Sequence, residues 1–487
     1  MSEIDTEFGL LATVRYAPRL RLERSAVFEQ HRWMAPGLKS LARGQRTMAN
    51  WDEDAVTMAV EAGRALLAAS PVSDAVSTEL TLASTTLPFA DRLNAGIVAA
   101  ALGLTADAVV RDVASSARAA LTELVASLRH PVPGAIRITV ASERRIARPG
   151  SAQELIYGDG AAAASVGTGR AIATFVAASS VRADFVDHFR QTGEAYEYGW
   201  EERWVRDEGY LKVAAGAVLQ CLASAGVSAA DVAHFALPAP VPRINEAVAK
   251  RAGIAATALV STAGDTVGDL GCAQPLAMLD IALRNAAPGA LILVAAFGSG
   301  CDVLLLRRTA VPCPGTEPDA GKAETSYMKY LSFTGQVALA WGMRAEMDNK
   351  PALSAAWRDH ARIERFEGGE CARCATVQFP FSRLCVNPAC KAQDAQKPIS
   401  FIDRPARVLS HTSDFLGYTP APPFQFGHID FHGGGRVLME FADTDREELA
   451  VGLPLRMVYR IKDLDAARGF RRYFWKATPV RGGVQST

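Results

Sequence analysis

PGAIRITVAS at 133–142 and PGALILVAAFG at 288–298 share one pattern, a Pro-Gly-Ala turn running into an apolar strand, and this repetition decides the fold. The same series of elements precedes each copy. Helical runs at Asp54–Ala69 and Gly209–Ala225 lead to Val-Ser pairs at 72–73 and 227–228, followed by strand-like segments at Glu79–Ser84 and His234–Leu237. Ala-rich helices then end near Gly103 and Gly253, and a second Ala/Leu-rich helix closes on each Pro-Gly-Ala triplet. Pairs and triplets share one offset of 155 residues, from 72 to 227 and from 133 to 288. Helices alternating with apolar strands predict parallel sheet covered by helices. The chain is therefore expected to hold an α/β double domain with halves at 1–168 and 169–310 and a site between them, near strand ends and helix N-termini. YGDGAAAASVG at 157–167 fits a tight glycine turn entering a small-residue strand where backbones pack closely.

Beyond Arg308 the composition changes. VPCPGTEPDAGKAET (311–325) is rich in Pro, Gly and charge, and two helices are expected after it, at about Ser326–Glu346 and Pro351–Ile363, within a linker spanning 311–365. From 398 to 487 short runs such as ARVLSHT, GRVLMEF, LRMVYRI and RRYFWKA alternate with turns that include Gly433-Gly434-Gly435, which predicts a small antiparallel barrel. The whole chain has 487 residues, too many for one ordinary core. Lys plus Arg and Asp plus Glu both number 52, so no basic field recruits nucleic acid or an anionic membrane. The acidic start, MSEIDTEFGLLATVRY, lacks the basic and apolar blocks of a secretion signal, and apolar stretches such as Ala290–Phe297 fall far short of the ~20 residues of a membrane span. A cytoplasmic setting is expected.

Four of the eight cysteines crowd between 366 and 397. CARC (371–374) and CVNPAC (385–390) place Cys371, Cys374, Cys385 and Cys390 on two knuckles separated by ten residues. Four thiolates in that pattern suit one tetrahedral, closed, structural zinc rather than disulfides, given that no secretion signal is seen.

GDGAAAASVG (158–167), the GDT turn at 264–266 and PGALILVAAFGSGCDVLLL (288–306) resemble the thiolase superfamily, in particular hydroxymethylglutaryl-CoA synthase and type III ketoacyl-ACP synthase. From Cys371 onward the chain resembles the zinc-ribbon plus OB-fold proteins that accompany thiolase-like subunits in acyl-CoA complexes, most clearly in DFLGYTPAPPFQFG (414–427) and RGFRRYFWKATP (468–479). The resemblance implies an acyl-CoA substrate, a homodimer through the thiolase-like part and a further pathway subunit. Condensing members use a Cys nucleophile at a helix N-terminus. In RDVASSARAALTEL (111–124) that position falls on Ala117, the expected catalytic His falls on Ala239 and Pro240, and Asp265 stands for the Asn of the Gly-Asn-Thr turn.

The resemblance then implies chemistry without an acyl-enzyme. A pocket that stabilises a thioester enolate supports aldol or retro-aldol cleavage of a β-hydroxyacyl-CoA, provided a base and an acid are at hand. Candidates are Asp265 in its Gly-flanked turn and His188, Tyr196, Tyr198 and Tyr210 from DFVDHFRQTGEAYEYGWEERWVRDEGY (184–210), with Ser115 and Ser116 beside the vacant nucleophile position. Trp33, Arg46, Gly298 and Gly300 are assigned to coenzyme A, with Trp51, Arg471, Arg472 and Lys476 as further contacts to its phosphates or base. Two alternatives stand beside the lyase: Claisen-type acyl transfer through a displaced cysteine, Cys272 or Cys301, and a degenerate subunit that binds or channels acyl-CoA.

Overall fold

The computed structural model describes residues 7–70, 77–114, 116–239, 243–315, 317, 320–340 and 352–481. The chain divides into two compact units, the first made of 1–49, 54–99 and 104–330, the second of 50–53, 100–103 and 331–487.

In the first unit the strands are β1 (Glu7–Tyr16), β2 (Leu20–Glu23), β3 (Gln45–Met48), β4 (Ser77–Ala83), β5 (Val109–Val113), β6 (Ala135–Glu143), β7 (Gly160–Gly169), β8 (Ala173–Arg182), β9 (His188–Phe189), β10 (Tyr198–Gly199), β11 (Val232–Ala236), β12 (Leu291–Phe297), β13 (Gly300–Arg308) and β14 (Lys322–Glu324). Nine of them form one sheet in the order β11-β12-β13-β8-β1-β7-β6-β4-β5. The two halves meet where Leu10 of β1 pairs with Ala173 of β8. Each half repeats one pattern: β4 runs parallel to β6 and β6 antiparallel to β7, as β11 runs parallel to β12 and β12 antiparallel to β13. The counterpart of β5 in the second half has shrunk to a single parallel bridge between Phe235 and Leu259.

Helices α1 (Arg24–His31), α2 (Ala55–Ala69), α3 (Asn94–Ala101), α4 (Ala119–Arg129), α5 (Ala152–Ile156), α6 (Glu202–Trp204), α7 (Ala215–Ala225), α8 (Ile244–Ala252) and α9 (Gln274–Asn285) connect the strands. The start of α2 is set by a capping box, with the Asp54 carboxylate accepting from the Val56 and Thr57 amides and the Thr57 hydroxyl accepting from the Asp54 amide. Gly103 (φ +71°) and Gly253 (φ +77°) take the left-handed turn that ends α3 and α8, which explains why glycine recurs there. Strand β12 is buried on both faces: Ile292 and Val294 pack with α4 and α9, and Leu293 and Ala295 pack with α7 and α8. That two-sided burial is the reason its sequence is continuously apolar.

Three expectations are corrected here. The helical run expected from Gly209 is α-helical only from Ala215, because Val205–Ala214 forms a π-helical stretch. The segment expected as linker from 311 carries β14, which pairs in parallel with β2, so the first unit runs on to Tyr330. The helix expected at 326–346 is α10 (Tyr327–Phe333) only, followed by a turn in which Gly335 has φ +73°. Residues 341–346 and the Val72-Ser73 pair lie outside the described residues.

The second unit holds α11 (Leu353–Arg358), α12 (His360–Glu364) and a three-stranded antiparallel sheet of β15 (Glu367–Cys371), β16 (Val377–Gln378) and β17 (Gln396–Ser400). Strands β18 (Ala406–Asp414), β19 (Phe424–Phe431), β20 (Arg436–Glu440), β21 (Pro454–Asp465) and β22 (Phe470–Pro479) form an antiparallel sheet in the order β20-β19-β18-β21-β22. A bridge between Phe441 and Ala477 brings its two ends together, so the sheet is barrel-like. Inside, Phe366, Phe401, Phe431 and Trp475 stack edge and face, and the Trp475 indole donates to the Glu364 carbonyl at 2.9 Å. Two buried cations complete this unit. Lys476 sits between Asp52 (2.9 Å) and Glu440 (3.0 Å), and Arg460 between Asp443 (2.8 Å) and Glu53 (3.2 Å).

Candidate active site

A cavity of about 250 Å³ in the first unit gathers residues from both halves of the sheet. Ala117 reaches it from just before α4, Arg145 from just after β6, and Gln153, Ile156 and Tyr157 from α5 and its end. Asp187, His188, Glu197 and Gly199 come from the β9–β10 ribbon, and Tyr210 from the π-helical stretch. Pro238 and Ala239 follow β11, Asp269 and Gly271 precede α9, and Phe297 ends β12.

The ribbon shows how two short strands place charge. Gly199 pairs with His188 and Tyr198 with Phe189. Successive side chains alternate sides, so Glu197, Gly199 and His188 face the cavity while Tyr198 and Phe189 stack on each other outside it. The His188 Nδ1 lies 2.9 Å from an Asp187 carboxylate oxygen. Burial works against a charged imidazole, but the hydrogen bond and charge of Asp187, with Glu197 beyond, outweigh it and raise the His188 pKa.

Arg145 ties the other acids together. Its Nη1 is 3.2 Å from Asp269, its Nε is 3.4 Å from Glu197, and its guanidinium lies over the Tyr157 ring at 3.4 Å. Tyr157 in turn donates to Glu197 at 2.5 Å. Burial opposes the charge of Glu197, yet Arg145 and then His188 hold its pKa below the usual carboxylate range. For Tyr157 and Tyr210 burial dominates and pushes both phenols up, so they are proton donors or neutral hydrogen-bonding groups.

Of the residues singled out in the sequence, the structure brings His188, Tyr210, Ala117 and Ala239 into the cavity. Four others are placed elsewhere. Asp265 is exposed in its turn, where its carbonyl accepts from the Gln45 amide at 2.8 Å, and the carboxylate lining the cavity is Asp269 in the next Gly-Asp pair. Tyr198 is 63% exposed. Tyr196 lies beneath the Arg148 guanidinium, 5.3 Å from it. Ser116 donates to the Gly298 carbonyl at 3.1 Å, a local tie between the start of α4 and the β12–β13 turn. Ser115 and Pro240 lie outside the described residues. Arg145, Asp187, Glu197, Tyr157 and Asp269 were not singled out.

The residues assigned to coenzyme A separate in the same way. Arg46 is 1% exposed and is spent on the protein itself, donating to the Glu154 carbonyl at 2.8 Å and lying over Tyr330 at 5.1 Å. Trp33 is 81% exposed. A Cβ on Gly300 (φ +122°) would collide with the Val181 carbonyl, so backbone packing requires that glycine, while one on Gly298 would lie 2.6 Å from the Ser116 hydroxyl, a side chain that can turn away. In the second unit Lys476 is buried between Asp52 and Glu440, with the Trp51 ring 4.4 Å from its ammonium, and Arg472 pairs with Asp463. Lys476 and Trp51 therefore pack within their own unit.

The four clustered cysteines have the geometry of a metal centre. Cys371 Sγ is 3.9 Å from Cys390 Sγ and Cys374 Sγ is 3.6 Å from Cys385 Sγ, and all four sulfurs lie within 4.8 Å of one another. Tetrahedral zinc with ~2.3 Å bonds sets sulfurs about 3.8 Å apart, whereas a disulfide needs ~2.05 Å. Each knuckle closes on a left-handed residue, Ala375 (φ +55°) after Cys374 and Lys391 (φ +48°) after Cys390, which folds the backbone around the sulfurs. The set fits a closed four-thiolate site. Cys272 and Cys301 are different: both are fully buried, burial raises both thiols, and neither lines the cavity among the described residues.

Among the described residues no helix is long and apolar enough to cross a membrane. Residues 222–305 match the family model of the 3-oxoacyl-[acyl-carrier-protein (ACP)] synthase III C-terminal part. The hydroxymethylglutaryl-CoA synthase of Aeropyrum pernix is 28% identical over 298 residues, 60% of this chain and 81% of that protein. Among solved structures, the 3-oxoacyl-(acyl carrier protein) synthase III FabH from Pseudomonas aeruginosa PAO1 superposes with a TM-score of 0.54 at 19% identity, covering 63% of this chain and 99% of that one. MvaS in complex with 3-hydroxy-3-methylglutaryl coenzyme A gives a TM-score of 0.55 at 17% identity, covering 72% and 94%. The large sheet of two like halves, the family match within the second half and these superpositions agree: the chain has the thiolase-like α/β fold, followed by small sheets that carry a four-cysteine cluster.

Proposed function

We propose that the first unit binds an acyl-CoA and breaks or makes a carbon–carbon bond beside the thioester without a covalent enzyme intermediate, in the form of aldol or retro-aldol chemistry on a β-hydroxyacyl-CoA. The observation that carries this reading is the pairing of Ala117, which has no nucleophilic atom, with the His188–Asp187 pair in one cavity. The names of the similar proteins support the coarser part, carbon–carbon chemistry on acyl-CoA or acyl carrier protein thioesters.

In the cleavage direction His188 is the base. With Nδ1–H donated to Asp187, the neutral ring leaves Nε2 to take the β-hydroxyl proton. The Cα–Cβ electron pair moves into the thioester as an enolate, the β-carbon leaves as an aldehyde or ketone, and the imidazolium returns its proton to Cα. The thioester bond stays intact, and no free CoA is consumed. Backbone amides at the start of α4, beside Ala117, supply the positive end of a helix for the enolate oxygen.

The second reading, acyl transfer, is favoured by the synthase names of the relatives, and it needs a thiol that becomes a thiolate. A mass-spectrometric screen of β-hydroxyacyl-CoA and β-ketoacyl-CoA substrates, with and without CoA, separates the two. Cleavage of hydroxy substrates without CoA supports the lyase; cleavage of keto substrates only with added CoA supports the transferase; binding without turnover supports the channelling subunit.

The four cysteines would hold a structural zinc, and the barrel-like sheet would be the OB-fold of an acyl-CoA-associated module in a cytoplasmic protein whose thiols stay reduced. The zinc would fix the two knuckles and take no part in the chemistry. A homodimer built through the first unit belongs to the same reading, and light scattering tests it.

A further inference from the structure

We infer, resting on the acyl-CoA reading, that the cavity accepts acyl chains without a carboxylate and rejects acidic ones, because each basic side chain lining it is already held by a carboxylate of the protein. The lining basic side chains are Arg145 and His188, against four carboxylates, Asp187, Glu197, Glu202 and Asp269. Arg145 is held 3.2 Å from Asp269 and 3.4 Å from Glu197, with its face on Tyr157. His188 is held 2.9 Å from Asp187. Arg190 acts on Glu197 from outside the lining, and its guanidinium donates to the Glu194 and Thr85 carbonyls.

A substrate carboxylate entering here would be a fifth negative charge in a partly desolvated space of about 250 Å³. Like charges brought together away from bulk water repel strongly, and a site can select by such repulsion as well as by attraction. Ile156, Val205, Pro238, Pro275 and Phe297 add an apolar part to the wall, and its other polar side chains, among them Gln153 and Tyr210, carry no charge, which suits a neutral, compact chain. The specificity would therefore differ from that of a site that takes a carboxylated acyl group, although the fold is shared.

The test compares 3-hydroxyglutaryl-CoA with its ω-carboxamide, equal in length and shape, by titration calorimetry and turnover on the full chain. The amide is expected to bind at least about tenfold more tightly, equivalent to ~1.4 kcal/mol, and Glu197→Gln to narrow that gap. Equal or tighter binding of the carboxylate by the wild-type chain overturns the inference, and cleavage in that case leaves the proposed function standing. Tighter binding of the amide without cleavage of either compound upholds the selectivity and removes the retro-aldol reading. If neither thioester binds, both fall together.

Discussion

Burial alone would keep the His188 imidazole neutral, but Asp187 at 2.9 Å reverses the sign and raises its pKa above the ordinary ~6.5. A base works only when deprotonated, so a raised pKa moves the acid limb of kcat/KM upward: activity is lost as pH falls through a value above 6.5. Asp187→Asn should shift that limb to lower pH while His188→Asn should lower kcat by about 10²–10⁴-fold, both read from pH–rate profiles. The buried thiols give a second expectation at this scale. Burial raises Cys272 and Cys301 and keeps them protonated, so iodoacetamide should leave turnover unchanged, as should Cys272→Ala and Cys301→Ala; rapid alkylation with loss of activity would restore the acyl-transfer reading. Sequence singles out His188 as an uncommon residue in an aromatic stretch, and the fold places it in the cavity lining. Sequence does not single out Asp269, since GDTVGDLG offers two Gly-Asp pairs four residues apart and only the backbone path decides which one meets the cavity. Glu197 was overlooked beside Tyr196 and Tyr198 for a similar reason. Alternation in a two-residue strand is too short to read, and it turned the chosen tyrosine outward.

Among the elements, the repeated strands and helices were legible because both faces of β12 are buried and its apolar run has no polar interruption. What stayed hidden is pairing. Nothing in LRLE, QRTM or KAE announces that β14 joins β2 and β3, because three- and four-residue strands carry almost no periodic signal. The π-helical stretch before α7 escaped for a related reason: helical periodicity in sequence does not distinguish a wider turn. The cysteine knuckles were legible by spacing alone, and their sulfur separations add a measurable consequence. Metal analysis should find about one zinc per chain, and Cys371→Ser should lose the metal and lower the melting temperature of the second unit. A metal-free protein with an unchanged Cys371→Ser melting curve would remove the zinc.

At the scale of the whole molecule, the second unit is assembled from distant parts of the sequence, taking residues 50–53 and 100–103 along with everything after 330. Burial disfavours a charged Lys476, but Asp52 and then Glu440 more than compensate and raise its pKa. Lys476→Met should destabilise this unit by up to about 3–5 kcal/mol, since it removes the cation shared by two buried carboxylates and leaves Glu440 with Lys462 and Asp52 with Arg460 at 3.9 Å, and denaturant titration would measure it. A loss below ~1 kcal/mol, as for an exposed pair, would mean that Lys462 and Arg460 suffice for the two carboxylates. Lys476 lies in the basic and aromatic run that invited a phosphate-binding reading, and only the fold reveals that its partner is 424 residues away.

The inset Asn50–Glu53 also bears on heredity. A gene cut anywhere between codons 53 and 331 yields one polypeptide with Asp52 and Glu53 and another with Lys476 and Arg460, so neither product inherits a complete set of buried charges. The C-terminal module moved to another polypeptide without residues 50–53 would lack the Asp52 and Glu53 partners of Lys476 and Arg460.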